Sequence, residues 1–220
     1  MTMLAPPQHQ ASARTDKPAR PEAIYRAIRA EPTEMALGEP FAAHVIACML
    51  TVALVESQET GEPIALSLGL DRDALLALTT QWAPAARRFL FIEDEPPEVS
   101  LDEEEEQLHQ LLARFSADTT QLGGWMASIV ARRAMSPRHL WQDLGLLDRS
   151  ELTRLMVEWF PTLAVTNVDN MKWKKFFYRK LCELEGFSLC AAPSCRECGD
   201  FDNCFGDEDG ASVLARLSRR

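Results

Sequence analysis

The sequence predicts an all-α protein: a helical bundle-like body followed by a C-terminal, irregular, cysteine-rich metal-binding loop. Three observations predict it. Apolar residues recur at helical spacing through much of the chain, and no useful length alternates polar and apolar as a half-buried strand does. Five of the six cysteines crowd between Cys182 and Cys204. With 220 residues and 46% hydrophobic content, the chain can bury one core.

Residues 1–20 are rich in Pro, Ala, Gln and Arg without apolar periodicity and read as a disordered arm. That arm lacks the apolar run of a secretory signal, so the chain is expected to stay in the cytoplasm. Residues 21–92 hold the N-terminal helices, the first long one over 40–57. Its apolar run FAAHVIACMLTVALV contains His44 and, at about 15 residues, falls short of the ~20 a bilayer needs, so it reads as a buried core helix. Cys48 within it reads as a small buried hydrophobe. A second helix runs from Asp71 to Trp82, with Leu70, Ala74, Leu75 and Leu78 near helical spacing.

Residues 93–106 form an acidic linker and helix start, with nine carboxylates around Pro96 and Pro97 and a capping-box pattern at Ser100 and Glu103. A run of like charges without turn glycines lacks the ligand geometry of a calcium loop and reads as a solvated face. Residues 107–186 are the C-terminal helical region. It comprises GGWMASIVARRAM, then SPRHLWQDLGL with Ser136 as N-cap and Pro137 at the first position, then DRSELTRLMVEWF, stopped by Pro161. Asn167 or Asp169 caps the last segment, NMKWKKFFYRKLCELE, and Gly186 terminates it in the left-handed conformation. Residues 187–210 are the cysteine-rich loop and 211–220 a tail.

The net charge of −10 repels polyanions, which leaves no electrostatic support for binding nucleic acid or an anionic membrane. A protein or a small ion is the expected partner. In a reducing cytosol, clustered thiols more often bind metal or do redox chemistry than form structural disulfides.

Cys190, Cys195, Cys198 and Cys204 stand in CAAPSCRECGDFDNC, separated by four, two and five residues. Pro193 and Gly199 bend the segment so that the outer pair can approach the inner one. Such thiolates suit an iron-sulfur cluster or zinc. A zinc site usually pairs two separated two-residue hooks, and one hook occurs here, which favours iron-sulfur without excluding a structural four-cysteine zinc-binding interaction module. Cys182, eight positions before Cys190, is either a further ligand or a partly buried helix cysteine. Around it, Trp173, Phe176, Phe177, Leu181 and Leu184 make an apolar packing stripe. Lys172, Lys174, Lys175, Arg179 and Lys180 bring five positive charges, a patch for an anion, an acidic partner or plain solvent. His139 and Asp143 share a helical face, where an imidazole can ligate a metal while the carboxylate orients it. No catalytic triad and no phosphate-cradling glycine loop occurs.

Taken together, HLWQDLGL, NMKWKKFFYRKLC and CAAPSCRECGDFDNCFG resemble the NifQ family of nitrogen-fixation proteins over roughly Trp125 to Gly206. The resemblance implies a carrier, not an enzyme, that donates molybdenum for assembly of the nitrogenase iron-molybdenum cofactor. It implies an iron-sulfur cluster, of 3Fe-4S or 4Fe-4S type, held by Cys190, Cys195, Cys198 and Cys204. Molybdenum is carried as a Mo-Fe-S cluster or as molybdate, and the partners are the cofactor scaffold complex and the nitrogenase iron protein. Cys182 and His139 are accessory metal candidates, with Lys172, Lys175 and Arg179 as an anion or partner patch.

Overall fold

The structure, a computed structural model, describes residues 20–90, 101–184, 186 and 201–215. Among these residues the secondary structure is helical throughout, without a strand. The first helices are α1 (Pro21–Ala30), α2 (Glu34–Gly38), α3 (Pro40–Thr60), α4 (Ile64–Leu68) and α5 (Arg72–Trp82), followed by a 3-10 turn over Pro84–Arg88. Then come α6 (Glu103–Arg114), α7 (Gln121–Ala134), α8 (Leu140–Asp143), α9 (Arg149–Trp159), α10 (Pro161–Ala164), α11 (Trp173–Leu184) and α12 (Phe201–Phe205).

Helix α3 is the centre of the core. Pro40 stands in its first turn, where a missing N–H costs nothing, and Gly61 ends it at φ 78°. Apart from His44, every side chain from Ala42 to Leu54 is buried, so the helix is apolar on all faces and enclosed by neighbours. Thr51 is the polar exception within that run, and its hydroxyl donates to the Ala47 carbonyl at 2.7 Å. At 21 residues the helix is longer than its apolar run and meets the length a bilayer requires. Length therefore does not separate core helix from membrane span here; burial does. Ile24 and Ile28 of α1 join its core cluster, and α2 and α4 also pack on it.

Helix α7 pairs with α6 and reaches α4, α5 and α8, while α11 lies against α6. Trp173, Phe176 and Phe177 of α11 are buried and Leu181 packs partly against the core, so that much of the stripe is packing, whereas Leu184, at the last position of the helix, is exposed. The three aromatic rings stack edge-on or tilted, with centroids 5.7 to 6.3 Å apart.

Three caps differ from the sequence reading. Asp102, not Ser100, caps α6, accepting from the Glu105 N–H at 2.8 Å. His139, not Ser136, is the N-cap of α8, because the Ser136 N–H still closes the end of α7 on the Arg133 carbonyl. Asn167 binds both backbone groups of Met171, just ahead of α11, at 2.9 Å each. Asp71, read from the sequence as the first residue of the second helix, is its N-cap, accepting from the Ala74 N–H, and Gly186 is left-handed at φ 79°, as predicted.

Candidate metal centre

Of the four loop cysteines, Cys190, Cys195 and Cys198 lie outside the described residues, and Cys204 is half-buried in α12. Its segment is fastened to the body by backbone contacts. The Lys172 N–H donates to the Cys204 carbonyl at 2.8 Å, and the Lys172 ammonium to the Asp202 carbonyl at 2.9 Å. Lys172, one residue before α11, thus binds carbonyls on the cysteine segment itself. Cys204 and Phe205 pack against the core.

Past α12 the chain continues along α8 and α9. Glu208 Oε1 lies 3.4 Å from Arg149 Nη1 and 3.8 Å from His139 Nδ1. Gln142 accepts from the His139 N–H at 3.2 Å and donates to the Asp209 carbonyl at 3.0 Å, joining the start of α8 to the segment that follows α12. Gly210 follows at φ 104°, where an added Cβ would stand 2.6 Å from Gln142 Nε2. Beyond it, Ser212, Leu214 and Ala215 are buried in the body. The structure therefore brings His139 and Lys172 to the segment that carries Cys204.

Asp143 does not orient His139. Its fully buried carboxylate takes Arg138 Nε at 3.0 Å and Lys174 Nζ at 2.8 Å. Lys174 also donates to the Ser136 carbonyl. Burial pushes the Lys174 amine below its ordinary pKa, and the bond it donates to Asp143 opposes that shift. The network continues through Arg138 to Glu56, 3.4 Å away, and from Glu56 to buried Arg133 at 2.6 Å. Ser67 closes it, donating to Glu56 at 2.7 Å and accepting from Arg133 at 3.1 Å. Lys174 thus belongs to a buried network, whereas Lys175 is exposed on α11. Arg179 and Lys180 share Glu183, at 3.1 and 3.3 Å, which neutralises part of the cationic patch. Cys182 is half-buried on α11.

A second polar cluster sits where α1, α3 and α9 meet. His44 Nδ1 lies 2.7 Å from the Tyr25 hydroxyl and Nε2 lies 3.2 Å from Glu151. Cys48 is fully buried beside the ring, its sulfur 3.6 Å from Nε2, and burial, reinforced by Glu151, pushes the thiol well above its usual pKa. It behaves as the small inert hydrophobe the sequence suggests. Glu208, Arg149 and Gln142 escape a sequence reading, because tertiary contact joins them without any spacing motif.

Among the described residues no group of three or more His, Cys, Asp or Glu side chains is arranged to hold a metal ion. Cys204 suits an iron-sulfur cluster as one soft ligand, fixed through its own backbone.

Comparison with known proteins follows the same segments. The NifQ family profile matches residues 45–206, from α3 through α12. The chain is 42% identical to a NifQ homolog of Sinorhizobium fredii over 183 residues, which covers 83% of this chain and 78% of that protein. It is 35% identical to the NifQ protein of Rhodobacter capsulatus over 172 residues, covering 78% of this chain and 93% of the relative. With the NifQ protein of Azotobacter vinelandii the identity is 48% over 108 residues, covering 48% and 54%. No solved structure is significantly similar to the chain. With a profile match across most of its length and relatives aligned over most of theirs, the chain belongs to the NifQ family.

Proposed function

We propose that this protein serves nitrogen fixation as a cytoplasmic iron-sulfur carrier that donates molybdenum for biosynthesis of the nitrogenase iron-molybdenum cofactor. The observation that supports this most is the four-cysteine spacing at 190, 195, 198 and 204, inside the family-matched segment, with its described end tied to the helical body through Lys172. When bound, an iron-sulfur cluster supplies sulfides for which reduced molybdenum has high affinity. The chain's own contributions are then capture, shielding and release of cargo rather than bond-making catalysis.

Cys190, Cys195, Cys198 and Cys204 hold the cluster in this reading. His139, 3.8 Å from Glu208 on the segment that carries Cys204, is one accessory candidate, and Cys182 on α11 is the second. Lys175 is exposed to an incoming oxyanion or an acidic partner surface, while Lys172 and Arg179 have partners of their own. The receiving partners are the cofactor scaffold complex and the nitrogenase iron protein.

Deletion of the protein tests the donor role. Molybdenum-dependent nitrogen fixation falls at limiting molybdate, other molybdoenzymes keep their activity, and excess molybdate restores fixation by mass action. Undiminished fixation in the deletion strain at limiting molybdate contradicts the role.

A further inference from the structure

We propose that a cavity between α1, α3 and the C-terminal segment binds a small organic carboxylate, held by Arg26 and Arg29 of α1. Every residue that lines it lies among the described ones, and none belongs to the cysteine-rich loop. The site is therefore independent of the molybdenum-carrier reading.

The cavity holds about 410 Å³, the size of a small-molecule site. Its floor is a polar chain that is already satisfied. The Glu151 carboxyl is held below its ordinary pKa and is an acceptor only at neutral pH, so His44 Nε2, 3.2 Å away, is the ring nitrogen that donates to it. In the neutral ring Nδ1 then accepts from the Tyr25 hydroxyl at 2.7 Å. Both ring nitrogens and the phenol are engaged, and the unmet charge is on the wall.

Arg26 and Arg29 line the same cavity, three residues apart on α1, and neither side chain makes an ion pair or a hydrogen bond among the described residues. Elsewhere in this acidic chain an arginine finds a carboxylate, as Arg88 finds Glu31 and Arg154 finds Glu158. Glu22 also lines the cavity but makes no ion pair with either arginine; it stands in the first turn of α1, where a carboxylate faces the positive end of the helix. The charge of Arg29 reaches inward. Burial raises the pKa of the Tyr25 phenol and of the Cys48 thiol, and the Arg29 guanidinium opposes both shifts.

Leu147, from the link between α8 and α9, and Leu214, buried in the segment after α12, complete the wall. Guanidinium groups select a carboxylate, whose planar oxygens match their paired N–H donors. The leucines select carbon behind it, so an organic acid fits better than a bare inorganic oxyanion, whose water shell they would face. Because Leu214 belongs to the chain after α12, a bound acid also favours the docked state of that segment.

The test titrates the full-length protein with succinate, benzoate, sulfate and phosphate by calorimetry, and follows its four histidine rings by NMR. His44 forms the cavity floor, so its resonances report this site alone. Succinate or benzoate is expected to bind, to move His44 but not His109 or His139, and to bind roughly tenfold or more weakly in Arg26→Gln and in Arg29→Gln. Arg26→Lys and Arg29→Lys keep the charge without the fork and are expected to retain part of the affinity. Arg26 is exposed, so its variant decides the matter if Arg29→Gln does not fold. His44 unmoved by either acid overturns the proposal, as does equal affinity in wild type and Arg26→Gln. Sulfate or phosphate that binds as tightly as the acids and moves His44 overturns the organic-acid assignment.

Discussion

Gly145, in the link between α8 and α9, stands at φ 73°, and a Cβ there would lie 2.5 Å from Val52 Cγ2 and 2.9 Å from the Cys48 carbonyl. Both neighbours belong to α3, so the glycine sets how closely the link approaches the central helix. Gly145→Ala combines a left-handed backbone penalty of ~1–2 kcal/mol with overpacking of ~1–3 kcal/mol. A loss of about 2–5 kcal/mol in urea unfolding is expected. Glu151 gives a pH-dependent counterpart. Burial raises its pKa, but hydrogen bonds from His44 and the Leu147 N–H outweigh that and hold it below the ordinary value of 4.5. A carboxyl depressed in the folded state adds stability above its unfolded pKa and loses it as pH falls through the folded one. The stability gap between wild type and Glu151→Gln is therefore expected to be fullest near neutral pH and to shrink in urea titrations below about pH 4.5. A gap that stays constant down to strongly acidic pH contradicts the assignment.

At the scale of elements, the existence of the long helices was legible because an apolar stripe, or in α3 a continuous apolar run, is bounded by a break, as at Asp71 before α5 and Gly186 after α11. The misplaced start of α8 has a tertiary cause. Ser136 has the composition of a cap, yet its N–H finishes α7 and its carbonyl receives Lys174, so tertiary demands displaced the start of α8 to His139. The short helices α2, α4, α10 and α12 have four or five residues each, too few for periodicity to register. Asp143 shows the limit for charge patterns: four residues from His139 in sequence, it turns instead to Arg138 and Lys174 and joins α8 to α11. Asp143→Ala leaves two cations without that buried partner and is expected to cost about 3–5 kcal/mol in chemical denaturation, with Asp143→Asn losing less. A loss under 1 kcal/mol for the alanine variant means the network does not couple the two helices.

For the whole molecule, the division of labour is a helical body built on α3 and a C-terminal segment clasped to α8, α9 and α11 by Gln142, Arg149 and Lys172. The four-cysteine spacing was visible in the sequence because it is local, falling within the single run CAAPSCRECGDFDNC. The clasp was not, because its members lie 30 to 67 residues apart in the chain and meet through folding. The central claim is that the four cysteines hold an iron-sulfur cluster, and metal and sulfide analysis of anaerobically purified protein tests it most directly. Brown wild-type protein containing iron and acid-labile sulfide, with both lost in Cys195→Ala and Cys198→Ala, is the expected result. Colourless protein holding one stoichiometric zinc and no sulfide after attempted cluster reconstitution contradicts the claim.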